Sequence, residues 1–215
     1  MEALKAFDST IKRARALIRA HTKLHGQGRG KRPRFHSELL RAALVTSVSA
    51  MDAYFHDKIA QNIARTIKRT EPDFPVELVS LLSEVGKNKE DVVRALLKVT
   101  TRDRPLAHVS TQVNRLLSER TYQDPGKIEQ GLKTIGINGF WQSVAPKLNT
   151  TPDQLKRDVV RYIKRRHAIV HVGDLGTSKK TRHRVRKISP SFSLECVDFI
   201  ERFVYAANDV VNQQI

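Results

Sequence analysis

Cysteine is almost absent from this chain, because Cys196 is the only one among its 215 residues. An intrachain disulfide is therefore excluded, and chains without disulfides are typical of the reducing cytosol, so a cytoplasmic location is expected. Cys196 lies within an apolar pattern, which predicts a buried small side chain and not a nucleophile.

Long hydrophobic runs are missing as well. Charged side chains recur through the first 20 residues, so no signal-peptide core is present there, and no run reaches the length of a membrane-spanning helix. Neither Met1-Glu2 nor Gln213-Gln214-Ile215 forms a lipidation motif. We therefore expect no membrane partner.

Acidic residues are scarce relative to basic ones. The chain has 22 Asp and Glu against 39 Lys and Arg, which gives a formal net charge of +17. A field of this sign attracts polyanions, and RNA or DNA is the most common polyanion in cells. Only 10 glycines and 8 prolines accompany 40% hydrophobic residues, a composition typical of a globular protein with a substantial core.

Apolar residues recur at helical spacing nearly throughout the chain, and no segment has the period of a strand. The sequence therefore predicts a single all-α domain over residues 1–215. Helices are predicted over residues 3–24, 38–70 with Ser37 as N-cap, 76–85, 89–99, 105–119, 128–135, 141–148, 152–171 with Thr151 as N-cap, and from Ser191 or Ser193 onwards. Residues 71–139 are a candidate helical insert, and basic loops are predicted over residues 26–35 and 173–190.

The segment RRHAIVHVGD, residues 165–174, is hard to explain as ordinary packing. His167 and His171 are four residues apart and share one helix face, a spacing that zinc sites use. A helical zinc-protease motif has Glu directly after its first His, where this chain has Ala168. A third ligand would have to come from Asp174, Asp52 or a distant histidine. A metal site is therefore disfavoured, and no cofactor is expected.

A helix end and a phosphate site both remain open as hypotheses for this segment. Basic side chains complement the dipole at a helix C-terminus, which accounts for Arg165 and Arg166 but not for His171 after an apolar trio. Alternatively, Arg166 holds a phosphate with its planar fork, while His171 exchanges protons near its unperturbed pKa of ~6.5. With RNA, His171 would assist attack of a 2′-hydroxyl on the adjacent phosphate. A dimer would double this small set of groups.

Two blocks of the sequence resemble the HEPN superfamily. Arg166-His167-Ala168-Ile169-Val170-His171 is similar to its motif of an Arg and a His separated by four to six residues. The wider RRHAIVHVGD resembles the RiboL-PSP branch, whose members tend to read Arg-Arg-Asn-x-Ile-Val-His-x-Gly-Asp. LLRAALVTSVSAMDAYFHD, residues 39–57, is similar to the family helix Arg-Ala-x-Val-x-x-x-Ser-Ala-x-Asp-x-Tyr. The first and last helices also fit, so the resemblance covers most of the chain.

This resemblance implies a helical HEPN homodimer with its active site at the dimer cleft. It implies a metal-independent endoribonuclease that leaves a 2′,3′-cyclic phosphate and acts as a toxin or an anti-phage defence effector, with a possible antitoxin or defence-system partner. Arg166 and His171 carry over as catalytic residues, and His167, Asp52 and Tyr54 carry over as supporting ones. Asp52 is a candidate partner for Arg166. The alternative is a non-catalytic module that binds RNA, a nucleotide or a partner protein.

Basic residues around the motif are candidate RNA contacts. A charge run is more often solvated surface, but these residues lie close enough in sequence to track a phosphate backbone beside the cleft. Aromatic side chains for base stacking are scarce there, so only a modest sequence preference is expected. The candidates are Arg165, Lys179, Lys180, Arg182, Arg184 and Arg186.

Overall fold

The structure, a computed structural model, describes residues 2–25, 35–70, 73–83, 117, 119–176, 178 and 180–215. Within them the chain forms seven helices and no strand, which confirms the all-α prediction. They are α1 (Glu2–His25), α2 (Phe35–Thr70), α3 (Val76–Ser83), α4 (Pro125–Lys133), α5 (Phe140–Lys147), α6 (Pro152–Val172) and α7 (Pro190–Gln214). The predicted helix over residues 89–99, nearly all of that over 105–119, and nearly all of the basic loop over 26–35 lie outside the described residues. No helix of the described part combines the length and apolar character needed to cross a bilayer.

The long helix α2 forms the centre of the bundle. Its Leu44, Val48, Met51 and Ile59 are fully buried, and α1, α6 and α7 pack along it. Each such side chain contributes about 1.5–3 kcal/mol when it leaves water. This apolar face therefore fixes the position of α6, the helix that carries the RRHAIVHVGD segment.

Aromatic side chains join α2, α5 and α7 at one end of the core. Trp141 and Phe203 stack with their ring centroids 5.7 Å apart, and Phe55 meets Phe140 edge to face at 6.0 Å. Cys196 is fully buried on α7, and burial raises the pKa of its thiol to about 12. The prediction that Cys196 is a buried small residue is confirmed.

The described part of residues 71–139 belongs to the same core. Ile128, Leu132 and Ile135 are fully buried, and α4 packs against α2, α3, α5 and α6. Pro125 opens α4, and the Asp124 side chain caps it by accepting from the Gly126 and Lys127 amides. This segment therefore supports the bundle, and α4 lies beside α6.

Local capping signals predicted the start of α6 correctly, but they predicted the starts of α2 and α7 incorrectly. Thr151 caps α6 as predicted, with its hydroxyl accepting from the Gln154 amide at 3.2 Å and Pro152 in the first position. Ser37 does not cap α2, which begins earlier at Phe35. The Ser37 hydroxyl instead accepts from Arg41 Nη1 at 2.9 Å, because Arg41 is held in place by tertiary contacts.

The start of α7 also differs from the prediction of Ser191 or Ser193. Ser189 is the N-cap, and its hydroxyl accepts from the Phe192 amide at 3.1 Å. Ser193 is buried and donates to the Leu40 carbonyl at 3.3 Å. The helix begins earlier because Pro190, whose φ is already helical, takes the first position.

Replacing the Ser189 cap is expected to weaken the fold measurably. Ser189→Ala should lower the free energy of unfolding by about 1 kcal/mol, because the Phe192 amide loses its acceptor. Ser9→Ala on α1 is the matched control, since Ser9 is exposed and a surface substitution changes stability by about 0.5 kcal/mol at most. Urea denaturation measures both variants, and equal losses would contradict the assignment of the cap.

Candidate functional site

The last two turns of α6 carry the candidate catalytic residues. The first part of this helix is anchored in the core through Leu155, Val159 and Tyr162. Towards its end the helix reaches the surface, and His167 and His171 are both exposed. Gly173 ends the helix with a left-handed φ of 61°, a conformation that glycine adopts without steric cost.

Helical spacing brings Arg166, His167 and His171 together. Arg166 Nη1 lies 3.5 Å from His171 Nε2, and the ring centroids of His167 and His171 are 4.9 Å apart. His167 and His171 are four positions apart and share one helix face, and the long Arg166 side chain reaches His171 from the adjoining face. The predicted catalytic pair and His167 therefore form one cluster, which we call the Arg166 cluster.

No carboxylate in the described part of the chain neutralises Arg166. The ion pairs among the described residues are formed by cations other than Arg166. Arg166 contacts His171 instead. Its Nε atom is buried and has no hydrogen-bond partner among the described residues. A guanidinium with unused donors beside two imidazoles attracts an anion, and a phosphate suits its planar fork.

The surroundings of His167 favour its neutral form. Partial desolvation lowers the pKa of His167, and the charges of His171, Arg166 and Lys127 lower it further. Lys127 belongs to α4, so a charged side chain from a second helix also acts on His167. A neutral imidazole can accept a proton or a hydrogen bond from a ligand.

The low pKa of His167 is expected to appear in an NMR titration. Its ring signals should shift with a midpoint below the unperturbed value of about 6.5. Arg166→Gln should raise that midpoint because a neighbouring positive charge is removed, whereas Arg13→Gln on α1 should leave it unchanged. The lowered pKa gives a contribution to stability that is complete above about pH 6.5 and is lost as pH falls through the folded-state value. A His167 midpoint that is the same in Arg166→Gln as in wild type would contradict this electrostatic origin.

Arg165, predicted as an RNA contact, is turned to the interior instead. Its side chain is only 8% exposed, and its Nη2 donates to Asp174 Oδ2 at 2.7 Å and to the Lys187 carbonyl at 3.0 Å. Burial in this ion pair argues against a contact with RNA. The two adjacent arginines therefore differ in role because α6 rotates by about 100° per residue, as 3.6 residues per turn require.

In the sequence analysis Asp174 is only a candidate metal ligand, but the structure gives it a larger role. It is fully buried and also accepts from Arg41 Nε at 2.9 Å. Arg41 Nη2 donates to the Arg186 carbonyl at 2.6 Å, and the Arg186 amide donates to the Asp174 carbonyl at 2.8 Å. This Asp174 triad, formed with Arg41 and Arg165, joins α2, the end of α6 and the basic loop. The sequence signal for this contact was the pair of opposite charges, Arg165 and Asp174, at the two ends of RRHAIVHVGD.

Asp52 does not contact Arg166, so the pairing suggested by the family resemblance is absent. Its half-buried carboxylate accepts from the Tyr122 amide at 2.5 Å, from Gln123 Nε2 at 2.6 Å and from Thr121 Oγ1 at 3.3 Å. These donors satisfy the desolvated carboxylate. Asp52 therefore orders the segment before α4.

Tyr54, predicted as a supporting residue, is a core residue in the structure. It is fully buried and its hydroxyl donates to Asn208 Oδ1 at 3.3 Å. Burial raises the pKa of Tyr54 well above its ordinary value. These contacts place its side chain between α2 and α7, and they give it no contact with the Arg166 cluster.

The basic loop after α6 presents most of its cations to solvent. Lys180, Arg182, Arg184 and Arg186 are exposed as an RNA-binding surface requires, and Lys179 lies outside the described residues. The Gly176 amide donates to the Arg184 carbonyl at 3.1 Å, so the loop folds back towards the end of α6. The Asp174 triad then holds it there.

The metal hypothesis gains no support from the geometry. Among the residues that the structure describes, no group of three His, Cys, Asp or Glu side chains is placed to hold a metal ion. Asp174 is engaged by two arginines, and Asp52 by the segment before α4. Neither Asp174 nor Asp52 is therefore available as a third ligand to His167 and His171.

Comparison with known proteins found no relative of this chain. The chain matches no family model, no curated protein and no solved structure. The resemblance to the HEPN superfamily therefore depends on the two sequence blocks, and the geometry of the Arg166 cluster is independent of it.

Proposed function

We propose that this protein is a metal-independent endoribonuclease that cleaves RNA by 2′-hydroxyl attack. The observation that carries the proposal is the surface contact between Arg166 and His171, whose Nη1 and Nε2 atoms are 3.5 Å apart with no carboxylate neutralising Arg166 among the described residues. A fixed cation and a side chain that can accept and give a proton are the two requirements for this reaction. The net charge of +17 favours a nucleic-acid substrate.

In the proposed reaction, His171 removes the proton from a ribose 2′-hydroxyl. The 2′-oxygen then bonds to the adjacent phosphorus while the bond from phosphorus to the 5′-oxygen breaks. A second, protonated imidazole gives its proton to that 5′-oxygen, and the second copy of His171 in a homodimer can supply it. Arg166 binds the non-bridging oxygens, where negative charge develops. The products are a 2′,3′-cyclic phosphate and a 5′-hydroxyl.

The proposal includes a homodimer whose cleft contains two Arg166 clusters. Val170 and Val172 flank His171 with 46% and 57% of their surface exposed, and Leu175 and Val185 are exposed close by at 38% and 53%. Leu175 and Val185 also pair through a β-bridge. Exposed apolar groups that gather in one place are typical of a contact surface. A second copy packed here through the same patch would place both active sites at a shared cleft.

The cellular setting belongs to the same proposal. We propose a cytoplasmic toxin or anti-phage effector, held inactive by an antitoxin or awaiting a defence-system partner. The high positive charge supports an acidic inhibitor as well as RNA, because both would bind through the same basic surface. The alternative is a non-catalytic module that binds RNA, a nucleotide or a partner protein through the Arg166 cluster.

Cleavage assays with and without a chelator test the reaction. Wild-type protein, His171→Ala and the matched control His183→Ala are incubated with structured RNA, each with and without EDTA. We expect cleavage by wild type and His183→Ala in both conditions, cyclic phosphate ends on the products, and no cleavage by His171→Ala. Loss of activity with EDTA would overturn the metal-independent mechanism. RNA binding without cleavage by any form would favour the binding module.

A further inference from the structure

The basic loop after α6 leaves the bundle and returns to it as two paired arms. The Gly176 amide donates to the Arg184 carbonyl at 3.1 Å, and the Arg186 amide donates to the Asp174 carbonyl at 2.8 Å. These two bonds lie on either side of a single antiparallel bridge. The loop therefore has a fixed main-chain path where it meets the bundle, as a short hairpin does.

The tip of the loop is closed by an approach that only glycine permits. A Cβ on Gly176 would lie 2.5 Å from the Thr181 Cβ and 2.7 Å from the Thr181 carbonyl oxygen. The Ser178 and Thr181 hydroxyls share a hydrogen bond of 2.7 Å, and the Arg182 amide donates to the Ser178 carbonyl at 2.9 Å. A larger side chain at Gly176 must therefore displace the main chain of the tip.

Two buried arginines fasten the returning arm to the bundle. Arg41 Nη2 donates to the Arg186 carbonyl at 2.6 Å, and Arg165 Nη2 donates to the Lys187 carbonyl at 3.0 Å. Both guanidiniums also bind the buried Asp174 carboxylate. Because these contacts use the main chain of the returning arm, they do not engage the side chains of Arg186 and Lys187.

The charged side chains of the loop are all positive. Residues 175–187 contain no Asp or Glu, and none of the ion pairs among the described residues includes a cation of this loop. The carboxylates at its base, Asp174 and Glu38, are both paired with Arg41, and Arg165 is the second partner of Asp174. These four charges balance, so they leave the positive charge of the loop without neutralisation. Its exposed cations are Lys180, Arg182, Arg184, Arg186 and Lys187.

The base of the loop adjoins the Arg166 cluster. The Asp174 amide donates to the Ala168 carbonyl at 2.7 Å, so Asp174 closes the helical turn that carries His171. Burial lowers the pKa of Arg165, and the charge of Arg186 lowers it further, so the Arg186 guanidinium also lies close to the last turns of α6. An RNA strand with one phosphate at His171 can therefore extend across the base of the loop.

We infer that the basic loop is a preformed site for the backbone of the substrate RNA, beside the phosphate at the Arg166 cluster. Arg184 and Arg186 bind phosphates of this backbone. Arg41 and Gly176 are positioning residues, which contact no RNA and hold the two arginines in place. A loop that is already ordered loses less entropy on binding than a mobile one. This inference deepens the proposed endoribonuclease function and rests on it for the identity of the polyanion.

The salt dependence of binding tests the loop, because it counts the phosphates that a protein neutralises. The probe is a labelled single-stranded 2′-O-methyl RNA, which has no attacking hydroxyl and is not cleaved. Replacing both Arg184 and Arg186 by Gln should reduce the slope of log affinity against log salt by about 1.4, since each contact contributes about 0.7. Fluorescence anisotropy measures the affinities.

The control for this test is a second double variant with the same loss of charge. Lys12 and Arg13 are exposed on α1, and replacing both by Gln should leave the slope unchanged. A slope for the Arg184 and Arg186 variant that equals that of wild type, or an equal reduction in the α1 variant, would overturn the inference.

Two further variants test the positioning residues without removing any charge. Gly176→Ala displaces the tip of the loop, and Arg41→Lys keeps a cation but loses the planar fork that joins Asp174 to the Arg186 carbonyl. Each should reduce the salt slope, although the loop cations are all still present. A merely destabilised protein has a smaller active fraction, which lowers the apparent affinity but not the slope. An unchanged slope in either variant would overturn the role assigned to that residue.

Competing polyanions test whether RNA is the occupant. Polyglutamate stands for an acidic protein, and phosphatidylserine vesicles stand for a membrane surface. We expect wild type to bind the 2′-O-methyl RNA more tightly than either at the same salt concentration, and tighter binding of either would overturn the assignment to RNA. None of these titrations involves cleavage. Failure of the proposed reaction therefore appears only in the assay with His171→Ala, and failure of this site only in the salt slopes.

Discussion

Asp174→Ala is expected to lower the free energy of unfolding by about 3–5 kcal/mol. The Asp174 carboxylate is fully buried, and its Oδ2 accepts from Arg41 at 2.9 Å and from Arg165 at 2.7 Å. Its removal leaves the buried Arg165 guanidinium without its negative partner, and leaves Arg41 paired with the exposed carboxylate of Glu38. A buried charge that loses its partner costs far more than a surface ion pair contributes.

The matched control for this prediction is the same substitution at the opposite end of α6. Asp153 lies in the first turn of the helix and is exposed, so Asp153→Ala should cost only about 0.3–1 kcal/mol through the helix dipole. Urea denaturation followed by circular dichroism measures both variants. A cost below about 1 kcal/mol for Asp174→Ala would show that the triad does not anchor the end of α6.

Arg166→Gln is expected to reduce RNA cleavage by about 10²–10³-fold, the usual effect of removing one group that stabilises a developing oxyanion. The free energy of unfolding should stay within about 0.5 kcal/mol of wild type. The reason is that Arg166 forms no ion pair in the described part of the chain, so its neutralisation leaves no buried carboxylate behind. A steady-state cleavage assay and a melting curve measure the two quantities.

The neighbouring arginine provides a sharp comparison. Arg165→Gln should destabilise the fold because Asp174 loses one of its two cations, and its loss of cleavage should follow the loss of folded protein. Arg13→Gln removes the same charge from an exposed position on α1 and should change neither quantity. Full activity in Arg166→Gln would contradict its assigned role in binding the phosphate.

The helical architecture could be predicted from sequence because helix formation is largely local. Apolar residues every three or four positions define the buried faces of α1, α2, α6 and α7. The Thr151-Pro152 pair and Gly173 located both ends of α6, since a cap and a left-handed stop each depend on one or two residues. The Arg166 cluster follows from spacing on one helix.

The sequence could not assign partners to charged side chains that meet across the fold. Arg165 and Arg166 are adjacent in sequence, yet one is buried against Asp174 and the next contacts His171. Asp52 is a candidate partner for Arg166 in the sequence, whereas in the structure it orders the segment at Tyr122. Each of these outcomes depends on which helix face meets which neighbour.

The sequence by itself determined the helices, the strong positive charge and the single-helix spacing of Arg166, His167 and His171. Only the tertiary structure decided that Arg165 and Asp174 are buried anchors, and that Asp52 orders the segment before α4. The physical reason is that local patterns fix backbone conformation within a few residues. Burial and ion pairing instead depend on contacts between residues that are far apart in the chain, as in the pair of Arg41 with Asp174.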